Sequence, residues 1–193
     1  MAATVARRTS LAGAEVQLLV LAGGQRWCAA IDLSCGALVT ARWDDPVPAF
    51  APFAVVQGRV TLVDADEEPD PVRPEQLPLV RAPEQVRRAR PRQAERWVRP
   101  VLHPPTEHLL GFAGPATPYW TLTGARPSVA VVEPPAPPEV ADGYCRFRWR
   151  NVTQALPLLP QALAWRQGRP RRVVVTLSAP RRGQCYKVVA ALL

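Results

Sequence analysis

Apolar and polar residues alternate in short runs through the first third of the chain. Glu15–Ala22, Gln25–Asp32 and Gly36–Trp43 therefore read as three consecutive strands. Gly23-Gly24 is a two-residue hairpin signal, and Leu33-Ser34-Cys35-Gly36 is a plausible four-residue connection. Phe53–Val63 supplies a fourth strand, with Gly58 expected at a bulge. Further strands are predicted at Glu107–Ala113, Pro118–Thr123, Ser128–Glu133 and Tyr144–Arg150, with a short irregular or helical piece near Leu156–Trp165.

The cleanest alternation lies at the end, where Arg172–Ala179 and Gln184–Leu192 form a hairpin. A turn at Pro180-Arg181-Arg182-Gly183 sets Ser178 opposite Cys185 and Thr176 opposite Lys187. Val173, Val175, Leu177, Tyr186, Val188, Ala190 and Leu192 then share a core face. Arg172, Val174, Thr176, Ser178, Cys185, Lys187, Val189 and Ala191 take the other, mixed face, with Arg181 and Arg182 exposed at the tip.

Between these regions the pattern changes. Asp64–Glu75 holds six carboxylates against Arg73, and Arg81–Arg99 answers with seven arginines against Glu84 and Glu95. Glu84/Arg88 and Glu95/Arg99 have the i,i+4 spacing of helical ion pairs, and Pro91 stops any single long helix. The stretch 64–105 reads as a charged, partly helical or disordered insertion. It separates an N-terminal meander (1–63) from a C-terminal β region (106–193), which forms one compact unit with the meander. The expected fold is mainly β, either an antiparallel barrel or two packed sheets. A chain of 193 residues can bury such a core without a disulfide or metal staple.

The 23 prolines, far above the usual share, punctuate the chain into short extended pieces, and Pro134-Pro135-Ala136-Pro137-Pro138 is a stiff linker. Arg7 and Arg8 precede an apolar run, but Glu15 and Gln17 interrupt it, so a strand is expected there rather than an export signal. No run approaches the ~20 apolar residues of a membrane helix. A cytoplasmic location is expected, with the cysteines reduced.

Charge supplies the one feature that points outward. From Gly143 to Leu193 the chain carries ten basic residues and no Asp or Glu, so ion pairing within that segment is impossible. On a strand, Cys145, Phe147 and Trp149 share the inner face and Arg146, Arg148 and Arg150 the outer. A row of like charges at two-residue spacing is best tolerated beside carboxylates or an anionic ligand. Joined with Arg171, Arg172, Arg181, Arg182 and Lys187, this row is expected to form one basic surface that binds nucleic acid, single-stranded, through its phosphates. The alternative is a scaffold that docks an acidic protein. The rival structural explanation is that Asp64–Glu75 folds over the cations and neutralises them.

Candidate chemistry is thin by comparison. Cys28, Cys35, Cys145 and Cys185 lack paired metal-ligand spacing, as do His103 and His108, and the cysteines read as buried small hydrophobes. Asp32, Asp44, Asp45 and Asp64 lie near strand ends, as a metal-dependent nuclease would want, although Asp44-Asp45-Pro46 is equally a turn signal. No phosphate loop or nucleophile motif is present. The expectation is binding rather than catalysis, without metal or cofactor.

Overall fold

The computed structural model describes residues 12–61, 72–122, 126–164 and 169–193. The chain is mostly β, built from packed sheets, one of them curled into a half-barrel, with two small helices. Strands β1 (Glu15–Gly23), β2 (Trp27–Asp32), β3 (Leu38–Arg42) and β4 (Ala54–Arg59) form the expected meander region, within a residue or two of the predicted bounds except that β4 ends four residues earlier. β5 (Gln76–Pro78) and β6 (Glu84–Arg88) complete a six-stranded sheet of order β5-β3-β2-β1-β4-β6.

Both outer strands thus come from the segment expected to be an insertion. Glu84 and Arg88 lie on β6 rather than a helix, and Glu84 pairs instead with Arg81 at 3.1 Å. Pro91 opens helix α1 (Pro91–Val98), where its missing N–H costs nothing. Gly58 is not a bulge, since β1 and β4 stay in register from Val16↔Gly58 to Leu19↔Val55. A side chain there would press on Leu79 at 3.0 Å and Pro83 at 3.3 Å, so close packing explains the glycine.

After α1 the predicted strand at Glu107–Ala113 is instead a tight turn of 3₁₀ helix at Leu109–Gly111. β7 (Ala116–Pro118) is followed by a second such turn at Tyr119–Thr121, where a continued strand was predicted. The remaining elements are β8 (Val129–Val132), β9 (Glu139–Ala141), β10 (Tyr144–Trp149), β11 (Val152–Pro157), helix α2 (Pro160–Ala164), β12 (Val173–Leu177) and β13 (Gln184–Leu192). They form a four-stranded sheet, β7-β13-β12-β8, and a three-stranded sheet, β11-β10-β9.

The four-stranded sheet is the middle layer. One face packs Val173, Val175, Leu177, Cys185 and Val189 against Cys145, Phe147, Trp149 and Leu156 of the three-stranded sheet. The other packs Val129, Val131, Val174 and Ala191 against Leu19, Leu21, Ile31 and Val55 of the six-stranded sheet and against α1. A third cluster, including Leu18, Val56, Trp43 and Leu77, lies on the opposite face of the six-stranded sheet. Burial on both faces explains why β8 and β12 are almost wholly apolar, Val-Ala-Val-Val and Val-Val-Val-Thr-Leu, with the buried Thr176 as the one polar member.

The final hairpin forms, but one residue out of the predicted register. Arg181 and Gln184 exchange backbone hydrogen bonds of 2.8 and 3.0 Å, so Arg182-Gly183 is the two-residue turn. Both turn residues have positive φ, 50° and 77°, the geometry that matches strand twist. One extra residue on the β12 side between Leu177 and Arg181 then sets Leu177 opposite Lys187 and Thr176 opposite Val188. That slip reverses β13 from Cys185 to Val189, sending Cys185, Lys187 and Val189 inward with Leu177, and a second irregularity returns Ala191 and Leu192 to their predicted faces.

Candidate nucleic-acid interface

The eight predicted contact residues do not gather on one surface. β10 carries Arg146 and Arg148 outward on the three-stranded sheet, above the buried Cys145, Phe147 and Trp149, as the alternation requires. Arg150 occupies the following turn with φ 52°, and Arg148 Nε donates to its carbonyl at 3.2 Å. Glu139 registers opposite Arg146 across β9–β10, the carboxylate nearest in register to the row.

Arg171 and Arg172 lie at the open end of the β12–β13 hairpin, where both backbone N–H groups donate to the Leu193 carbonyl. Arg181 and Arg182 lie at its closed end, separated from them by the length of β12. Leu158 bridges Val189 in parallel, so β11 and β13 run the same way. The turns that precede them, holding Arg150 and Arg182, therefore point toward the same end of the molecule. The arrangement is thus a tip group (Arg150, Arg181, Arg182), an adjoining sheet row (Arg146, Arg148) and a distant pair (Arg171, Arg172).

Two of the eight are not available to a ligand. Arg172 donates to both carboxylate oxygens of Glu95, at 2.6 and 2.8 Å, and to Glu133 at 3.0 Å. Those contacts hold its guanidinium charged and depress the Glu95 carboxyl below its ordinary range. The acid-free segment is thus neutralised in part by carboxylates from elsewhere in the chain. Lys187 corrects the prediction more sharply, being only 2% exposed. Its ammonium donates to the Phe112 carbonyl at 2.7 Å and sits 4.1 Å from the centre of the Phe112 ring. Burial lowers its pKa to about 8.

Of the acidic stretch, Asp64, Asp66, Glu67, Glu68 and Asp70 fall outside the described residues, as do Arg7, Arg8 and Arg166. Glu75 is described and turns inward, accepting from the Ser128 backbone at 2.9 Å and its hydroxyl at 2.5 Å. Burial raises its carboxyl pKa against the pull of those bonds.

The remaining candidates do not gather into a metal-binding group among the described residues. Asp32 is fully buried and its Oδ1 accepts from Ser34 N and Oγ at 2.9 and 2.6 Å, closing the β2–β3 turn. Asp44 and Asp45 are exposed in the loop after β3, and Asp64 lies outside the described residues. Cys28, Cys145 and Cys185 are buried, whereas Cys35 is exposed. Desolvation pushes the Cys28 thiol up to about 12, which makes it inert as a nucleophile. His103 stacks on Trp149 at 5.6 Å, and burial together with the nearby Lys187 charge lowers its pKa.

Sequence reasoning missed a cleft of about 350 Å³ between the six-stranded and the four-stranded sheet. Arg26, Arg42 and Arg73 contribute to its walls, with Trp27, Leu159 and Val188 as apolar lining. Arg73 Nη2 is held by the Leu177 carbonyl at 3.1 Å. The cleft also borders Ser178 and Ala179, three and two residues before Arg181, on the approach to the tip. Its arginines lie far apart in sequence, so only the packing of the sheets brings them together.

No helix of the described residues is long and apolar enough to cross a membrane. No protein-family model, no curated protein and no solved structure matches the chain.

Proposed function

We propose that this protein binds nucleic acid without acting on it chemically, through Arg146, Arg148, Arg150, Arg181 and Arg182. The reading rests on one observation: these five guanidinium groups are exposed and make no ion pair with any described residue, within a segment that contains no carboxylate. Leaving so many like charges in water is tolerable, and such exposed guanidinium groups suit contact with a polyanion. The Arg26/Arg42/Arg73 cleft beside the tip extends the same positive character.

Five phosphate contacts imply a salt slope of about −3.5 for a single strand, so affinity should fall about a hundredfold between 50 and 200 mM salt. Titration of fluorescein-labelled oligonucleotides at the two concentrations tests this, and no binding at the lower one refutes it. Replacing Arg146, Arg148 and Arg150 together with Gln should flatten the slope by about two units. A complex recovered from lysate that survives nuclease treatment would favour the acidic-protein alternative instead.

A further inference from the structure

The tip that carries Arg181 and Arg182 also carries the most exposed large apolar side chain among the described residues. Trp120 is 66% exposed and its neighbour Tyr119 45%. Isolated exposed apolar residues are ordinary, but this pair is held in a fixed frame. Tyr119 N donates to the Gly183 carbonyl at 3.1 Å, tying the aromatic turn to the arginine turn. Thr121 Oγ1 donates to the Pro118 carbonyl at 2.7 Å, and Leu122 N donates to the Tyr119 carbonyl at 3.2 Å. The two rings meet edge to face at 5.3 Å and 81°.

Gly183 is fitted to this frame as well as to its own backbone. A Cβ there would stand 3.1 Å from the six-membered ring of Trp120, so the turn makes room for the indole. Arg182, immediately before it, keeps a left-handed backbone that asparagine or glycine would adopt more readily. Neither segment that builds the tip contains a carboxylate, since 108–132 and 143–193 lack Asp and Glu altogether. The two turns that meet at the tip thus combine an aromatic surface with Arg181 and Arg182 and bring no carboxylate of their own.

We infer that Trp120 is a stacking platform for an unpaired nucleobase, with Arg181 and Arg182 holding the phosphates on either side of it. The inference rests on the nucleic-acid reading above and sharpens it, because a base can reach Trp120 only in a single strand. An indole fixed before binding loses little side-chain freedom when a base stacks on it, which is why the rigidity of the turn matters. Every base offers a flat face, so the site is tolerant of sequence.

The test compares the full chain with its Trp120→Ala and Trp120→Phe variants. The probes are labelled oligothymidylate and an abasic strand of the same length, about twelve nucleotides, within the usual range of site sizes. The native chain should bind the thymidylate strand roughly ten- to a hundredfold more tightly than the abasic one. Trp120→Ala should erase that difference while leaving the salt slope unchanged, and Trp120→Phe should retain part of it. Equal affinity of the native chain for both strands, or a difference that persists in Trp120→Ala, overturns the stacking site while the phosphate contacts stand. Failure of the native chain to bind either strand at low salt removes the nucleic-acid reading itself, and the platform with it.

Discussion

Strands β10 and β13 both interleave basic or polar residues with apolar ones, and they resolve that pattern in opposite ways. On β10, Arg146 and Arg148 face water while Cys145, Phe147 and Trp149 are buried. On β13, Lys187 goes inward beside Cys185 and Val189, and Tyr186 faces out. The difference follows from layer position. β10 belongs to an outer sheet with one wet face, so period-2 alternation has a single low-energy solution. β13 belongs to the middle sheet, where six of its last seven residues (187–192) are buried whichever way they point. Hydrophobic patterning then loses its authority over register, and the Arg182-Gly183 turn together with the extra residue between Leu177 and Arg181 decides it.

The comparison can be broken at several places, taken here from the largest effect down. Trp149→Ala should destabilise the fold by about 3–5 kcal/mol, read from a chemical-denaturation midpoint, because it empties the interface beneath the arginine row. An unshifted midpoint would mean that β10 does not bury this face. Trp120→Ala, on the surface, should stay within about 0.5 kcal/mol.

Lys187 comes next. In the unfolded chain its proton leaves near 10.5, and in the folded chain near 8. Between those values the unfolded state holds the extra proton, so stability due to this residue rises with pH by up to roughly 3 kcal/mol and is flat below pH 8. Lys187→Met lacks that rise. The stability of the native chain minus that of the variant, followed by denaturation from pH 7 to 10, should therefore rise as pH increases. A constant gap would place the ammonium in water and restore the register read from the sequence.

Arg172→Ala should cost about 1 kcal/mol, less at high salt, by releasing Glu95 and Glu133 from partly exposed pairs. Indifference to salt would show that the pairs do not form in solution. The smallest effect belongs to the outer face of β10: exchanging Arg146, Arg148 and Arg150 for Gln should change stability by less than about 0.5 kcal/mol, since none of their charges is paired among the described residues. A larger loss in the thermal midpoint would give this row a structural role.

How much of this was legible in advance depended on how local the deciding forces were. β10 was readable because it has one apolar face and a period of two is visible in a single segment, and the first four strands because short apolar runs are bounded by turn residues. The edge strands β5 and β6 were not. β6 is exposed along its whole length and follows no apolar pattern, held by hydrogen bonds to β4 alone. Leu109 and Leu110 looked like strand residues, but Leu110 takes a positive φ of 57° to drop both side chains into the core. In the candidate interface, the outward set of Arg146, Arg148 and Arg150 was legible for the same reason as their strand. The Trp120 tip and the arginine cleft were not, since each joins residues from elements distant along the chain.

The amino-acid order by itself determined that this chain is β-rich, which residues of its outer strands turn inward, and that its last fifty residues carry unbalanced positive charge. Those are properties of neighbours in sequence, written by backbone pleat and by simple charge count. Tertiary structure alone decided which cations remain free. Burial beside Phe112 took Lys187 out of the set, and the carboxylates of α1 and of the residue after β8 took Arg172. A charge meets its partner through space, and the sheets that bring partner and charge together are stacked by apolar surfaces that say nothing of either.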